Sequence, residues 1–224
     1  MQIIHEDNHI VIVNKACSEI VQGDKTGDIT LIDKLKAYIK EKYQKPGNVY
    51  LGLVHRLDRP TSGIVVFART SKALARMNQI FQDRKVEKTY WAVVDKVPPE
   101  NEATLVHYLK KNTKQNKSYA FDTQKAGTKE ANLTYRLKAN SNRYYLLEIE
   151  LHTGRHHQIR AQLAKIGCHI KGDLKYGFPR SNPDGGIHLH ARSIEFTHPV
   201  SKELLRITAE PPKDVLWDEF VKNV

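Results

Sequence analysis

Apolar residues along the chain fall mostly into short runs rich in β-branched and aromatic side chains, the pattern of strands rather than helices. "HIVIVNK" (9–15), "VYLGLVHRL" (49–57), "GIVVFA" (63–68) and "KTYWAVV" (88–94) are the first of these. "ATLVHYLKK" (103–111), "KSYAFDT" (117–123), "ANLTYRLKA" (131–139), "YYLLEIEL" (144–151), "IHLHARSIEF" (187–196) and "LLRITA" (204–209) continue the series. Helical spacing is confined to a few segments. In "TLIDKLKAYIKEKYQ" (30–44) Thr30 is placed to cap a helix with Ile32, Leu35, Ile39 and Tyr43 on one face, ending before Pro46-Gly47. "SKALARMNQIFQDR" (71–84) predicts a second helix capped by Ser71, with Leu74, Met77 and Phe81 in its stripe. "LHTGRHHQIRAQLAKIG" (151–167) predicts a strand end, a turn at Gly154 and a helix carrying Ile159, Gln162, Leu163 and Ile166. Many strands with few helices predict an α+β fold. With no repeat, low-complexity tract or long linker, residues 1–224 read as one domain.

Charge narrows the partners. Thirty-six Lys and Arg against 25 Asp and Glu leave +11, which favours a polyanion: nucleic acid first, acidic lipid second. No apolar run approaches the ~18 residues of a membrane span, and the first residues lack a basic start leading into an apolar stretch. A cytoplasmic protein is expected, monomeric because no heptad seam or apolar patch stands out. Cys17 and Cys168 form no CxxC, so both are expected as small buried residues, not as a disulfide or metal site. Between His107 and Lys129 the chain carries Lys110, Lys111, Lys114, Lys117 and Lys125 against the single acid Asp122, with Tyr108, Tyr119 and Phe121 interleaved. This predicts a protruding hairpin, either an edge protected by lysines or a finger on phosphates with aromatics near bases.

Two segments concentrate chemistry. In "HRLDRPTSG" (55–63) Asp58 lies between Arg56 and Arg59, where a strand is predicted to end and where positive neighbours favour a carboxylate. A turn explains the same residues: Asp58 as a local cap, Pro60 fixing its dihedral, Ser62-Gly63 completing the reversal. "TGRHHQIR" (153–160) brings Arg155 and Arg160 to a helix start, suited to a buried carboxylate or a phosphate. His152, His156 and His157 stand near no Cys and no HExxH pattern, so no metal site is expected. Tyr90 in "EKTYWAVV" is placed to stack on a base or simply to pack in a strand. Walker, GxGxxG and GxSxG motifs are absent, which disfavours kinase, dehydrogenase and hydrolase chemistry.

Taken in order, "HEDNHIVIVNK", "GLVHRLDRPTSGIVVFARTSKALARMNQIF", "EKTYWAVV", "LHTGRHHQIRAQLAKIGCHIKGDLKYG" and "LHARSIEFTHPV" resemble the RluA family of pseudouridine synthases over nearly the whole chain. The resemblance implies the pseudouridine synthase fold: a largely antiparallel mixed sheet with flanking helices and a central basic cleft. It implies isomerisation of specific uridines in structured RNA, ribosomal or transfer, with no cofactor. Asp58 would be the catalytic aspartate, Tyr90 would pack against the target base and Arg155 would pair with Asp58. Arg56 would hold the RNA after the uridine flips out, because a stacked base cannot present its glycosidic bond to a buried carboxylate. Lys110, Lys111, Lys114 and Lys117 become candidate RNA contacts. The chain departs from the family at Ala16, where NKP is usual. It also opens without the N-terminal RNA-binding domain of many relatives, so substrate selection is expected to rest on this domain.

Overall fold

The period-two runs assemble into one twisted sheet with helices laid against it. The computed structural model describes residues 1–23 and 27–224. Its strands are β1 (Gln2–Glu6), β2 (Ile10–Lys15), β3 (Gly52–Leu53), β4 (Ser62–Ala68), β5 (Val86–Val94), β6 (Glu102–Asn112), β7 (Lys117–Phe121), β8 (Lys129–Asn140), β9 (Tyr145–Leu151), β10 (Leu189–Thr197) and β11 (Leu204–Thr208). Helices are α1 (Leu31–Lys42), α2 (Ser71–Gln82), α3 (Gln158–Lys165) and α4 (Val215–Lys222), with a 3-10 turn at Leu174–Tyr176. The strand order is β1-β2-β4-β10-β5-β9-β8-β6-β7, with β3 beside β4 and β11 beside β10. Among the described residues only β4 and β10 pair in parallel, so the fold is the α+β, largely antiparallel arrangement expected. No described helix is long and apolar enough to cross a membrane.

Burial explains where the core lies. Every residue of β4 is buried, as are all of β2 except Asn14, because helices cover faces that a two-layer sheet would leave wet. α1 contributes Leu31, Leu35 and Ile39, each worth roughly 1.5–3 kcal/mol when taken from water. Leu31 rather than Tyr43 completes that buried stripe; Tyr43 ends the helix as its C-cap. The Thr30 hydroxyl accepts from Asp33 N at 3.1 Å while the Asp33 carboxylate accepts from Thr30 N, a reciprocal cap. α2 is capped by Thr70, not Ser71: the Thr70 hydroxyl accepts from Ala73 N at 3.1 Å and Ser71 is already helical.

Two expectations change shape. "VYLGLVHRL" contracts to the two residues of β3, because His55 Nε2 accepts the Val66 N–H at 3.2 Å where a longer ladder would place a carbonyl. Asp58 therefore sits in a loop, closed by the Thr61 N–H on its own carbonyl at 3.1 Å, rather than at a strand end. The lysine-rich hairpin β6–β7 does not protrude freely, for its inner face is docked. The Tyr176 hydroxyl takes the Ser118 N–H at 2.9 Å and lies 3.1 Å from the Ser118 carbonyl, and Leu109, Ala131, Ala161 and Tyr176 pack together beneath. Lys110, Lys111 and Lys114 remain exposed on the outside, and Lys117 is half-buried beside the rings of Tyr119 and Tyr176.

Candidate active site

The segment Thr61-Ser62-Gly63 anchors the Asp58 loop to the sheet. A Cβ at Gly63 would lie 2.4 Å from the Ala191 carbonyl oxygen, and its φ of +111° is one that side-chain-bearing residues avoid. The Ser62 hydroxyl lies 2.9 Å from His190 Nδ1, whose Nε2 faces the Ala209 carbonyl at 3.0 Å. A carbonyl only accepts, so Nε2 carries the proton and Nδ1 accepts from Ser62. Burial pushes His190 down to about 4, keeping it neutral. On the other side, fully buried Lys15 donates to the carbonyls of Ala16, Glu19 and Arg59 at 2.9, 2.9 and 3.1 Å. Burial lowers this lysine to about 8. The Arg59 side chain turns outward to Asp28 at 3.0 Å, so its backbone rather than its charge ties down the loop.

Asp58 is thereby presented at a cleft of ≈280 Å³ that Arg56, Tyr90, Leu151, Arg155 and Arg160 also line. Its side chain is 31% exposed. Arg160 Nη1 lies 3.1 Å from Asp58 Oδ2 and His157 Nε2 lies 3.5 Å from the same oxygen. No described residue bonds Oδ1, which leaves it available to a substrate atom. Arg160 is in turn clamped by Asp173, with Nε 2.7 Å from Oδ2 and Nη2 2.9 Å from Oδ1. Arg160 and Asp173 are 5% and 1% exposed, so the paired geometry acts in low dielectric. Burial alone would lower Arg160, but the hydrogen bonds and charge of Asp173, then Asp58, outweigh it and hold the guanidinium above its ordinary range.

His157 faces Asp58 without being its counter-ion. Burial, then the charge of Arg160, drives its pKa down to about 2, so a neutral imidazole fills that wall. It begins α3 in left-handed conformation (φ 53°), and its Nδ1 lies 3.0 Å from the Tyr176 hydroxyl. Tyr90 is 8% exposed, and burial, then the negative charge of Asp58, raises its phenol above the usual range. A neutral ring beside an ionic triad can hold a flat, uncharged base.

The pairing expected of Arg155 belongs to Arg160. Gln158 accepts from Arg155 N at 2.9 Å and from the Thr153 hydroxyl at 2.8 Å, which fixes the β9–α3 corner. The exposed Arg155 side chain then leaves along β8, its Nε donating to the Glu130 carbonyl at 2.9 Å. Residues one turn into α3 point inward instead, Arg160 among Ile159, Ala161 and Leu163. A cation amid apolar neighbours needs a buried acid, and Asp173 of "GDLKYG", missed in the sequence, supplies it. Arg56 is exposed at the rim and makes no ion pair or hydrogen bond with the described residues.

The histidines are engaged by protein atoms: His152 with Thr134 at 2.9 Å, His156 with Ser118 at 2.8 Å and Asn116 at 3.1 Å. Among the described residues no His/Cys/Asp/Glu group is arranged for a metal. Cys168 is buried as expected. Cys17 is only partly buried, with Sγ 2.8 Å from Asp184 Oδ2; burial and then Asp184 raise it to about 11, so it stays a thiol.

Comparison with known proteins bears on this geometry. Residues 9–165 match the family model described as RNA pseudouridylate synthase. The chain is 31% identical over 230 residues to "Ribosomal large subunit pseudouridine synthase C" of Buchnera aphidicola, covering 99% of this chain and 70% of the relative. It is 32% identical over 232 residues to "Ribosomal large subunit pseudouridine synthase D" of Xylella fastidiosa, covering 96% and 67%. The structure of "Human RNA Pseudouridylate Synthase Domain Containing 4" superposes with a TM-score of 0.80 at 23% identity, covering 98% of this chain and 92% of that one. "Human RNA Pseudouridylate Synthase Domain Containing 1" gives 0.74 at 21%, covering 99% and 93%. At those identities the two human proteins speak for the fold.

Proposed function

The chain belongs to the RNA pseudouridylate synthase family, and from that premise we propose that Asp58 is the group that breaks and remakes the glycosidic bond. The observation that carries this is the one-sided clamp on its carboxylate: Arg160 holds Oδ2, while among the described residues Oδ1 has no partner, in a cleft that Tyr90 also lines. The reaction exchanges one bond for another on the same nucleotide. C1′–N1 of uridine breaks, the uracil turns, C1′–C5 forms, the proton on C5 is lost and N1 gains one. Atoms balance without an oxidant, a metal or a second substrate.

Within this scheme Asp58 attacks C1′ or assists departure of the base, and Arg160 stabilises the carboxylate each time it is regenerated. Tyr90 supports the face of the free uracil during its rotation. Arg56 lies at the rim to contact the RNA left behind by the flipped nucleotide. Arg155 stays with the substrate-facing wall as an RNA contact rather than as the partner of Asp58. Lys110, Lys111, Lys114 and Lys117 present cations to phosphates beyond the cleft. Every group named comes from one chain, so a single-domain monomer acting on structured RNA in the cytoplasm suffices. Ribosomal RNA is the preferred target, since the relatives reported above are named for the large ribosomal subunit, with transfer RNA as the alternative.

Incubating the protein with total RNA and mapping pseudouridine chemically tests this. New pseudouridine at defined uridines is expected. Their absence from every RNA class would overturn the proposal, and maps of cells with and without the gene would identify the position.

A further inference from the structure

Lys88 is a half-buried cation without an anion among the described residues. It stands two residues before Tyr90 on β5, hence on the same face and about 7 Å along the strand. It lines the cleft that holds Asp58 and also an adjoining cleft of ≈520 Å³ bounded by Phe81, Arg84, His152, Gly154 and Arg155. Its Nζ lies 5.9 Å from the centre of the Phe81 ring and would be 3.8 Å from a Cβ at Gly154. Among the described residues it makes no ion pair or hydrogen bond. Two acids border the second cleft. Glu150 approaches His152 at 3.8 Å and Arg136 at 4.0 Å, and neither Glu150 nor Glu87 pairs with Lys88. Burial lowers the ammonium from its usual range with nothing to offset it.

A desolvated ammonium with no partner costs the free protein stability, and the cost is recovered when an anion arrives. RNA carries one such group per nucleotide. Lys88 and Tyr90 share one face of β5 and both line the Asp58 cleft, so a cation stands on the wall that also presents the ring. We propose that Lys88 is a phosphate seat, receiving a phosphodiester next to the target uridine where the two clefts join. Arg155, freed from Asp58, flanks the same seat. The seat deepens the reading of the cleft as a uridine site and rests on it.

Binding of decauridine measured against salt tests the seat without requiring turnover. One phosphate contact contributes ~0.7 to the slope of log Kd against log salt for a single strand. Lys88→Met should lower the slope by about that amount and Lys88→Arg should keep it. Lys88→Met should also melt above wild type, because an uncompensated charge has been removed. Uridine 5′- and 3′-monophosphate, compared with uridine as competitors, identify which phosphate is held: the one that loses its advantage in the methionine variant. An unchanged slope, a methionine variant melting below wild type, or no decauridine binding by wild type at low salt would each overturn the seat. The pseudouridine map tests the reaction separately, so failure of one is not failure of the other.

Discussion

Arg160 and Lys114 carry the same charge in opposite surroundings. Arg160 is 5% exposed and shared between Asp173 and Asp58, while Lys114 is exposed on a hairpin whose other lysines, 110, 111 and 117, make no ion pair among the described residues. In the interior a charge is weakly screened, so its energy depends on the geometry of its partners. At the surface the same charge is screened within about 8–10 Å and can follow an irregular polyanion. In the proposed scheme bond exchange at C1′ uses the first kind of cation and a grip on RNA the second, and the two kinds stand in separate elements, α3 and β6–β7.

The comparison breaks hardest at Arg160. Arg160→Met leaves Asp173 and Asp58 without their cation, and urea unfolding should show a loss of about 3–5 kcal/mol together with loss of product. Arg155→Met, five residues earlier, should stay within about 0.5 kcal/mol, since its guanidinium reaches only an exposed carbonyl. Equal losses at both positions would dissolve the distinction.

A smaller effect separates the regions by pH. His157 is neutral when folded, titrating at about 2, but takes a proton at its ordinary 6.5 once unfolded. The unfolded chain therefore binds more protons below 6.5, and stability present above that pH is lost as pH falls, by about 1.4 kcal/mol per unit from this residue. Denaturation midpoints at pH 7 and 5.5 should converge in His157→Gln relative to wild type. Replacing Lys110, Lys114 and Lys117 with alanine should leave that pH dependence as it is, whereas Lys111 is among the charges that hold His157 down and is left in place.

Those four lysines give the smallest stability effect, within about 0.5 kcal/mol each. Their replacement should weaken RNA binding and flatten its salt dependence while leaving turnover per bound complex unchanged. A fall in single-turnover rate at saturating protein would mean that the hairpin reaches the chemistry.

What could be read from the chain follows the range of the forces involved. Most of the strands, the Thr30 cap and the turn around Asp58 are local, and these appear where their residues predict them. The partner of Asp58 was not legible. Whether Arg155 or Arg160 points inward depends on where α3 begins, which the left-handed His157 and the Gln158 bonds to Thr153 and Arg155 decide. Nor could the docking of the hairpin be foreseen, since it depends on Tyr176, 58 residues from Ser118. β3 stops short because a side chain, His55, takes a ladder position; strand propensity carries no trace of that.

Asp58→Asn under single-turnover conditions tests the central claim most directly, because the amide keeps the shape of the side chain and removes the charge that Arg160 holds. The account predicts RNA affinity close to wild type with no pseudouridine formed above background. Product at the wild-type rate would contradict it.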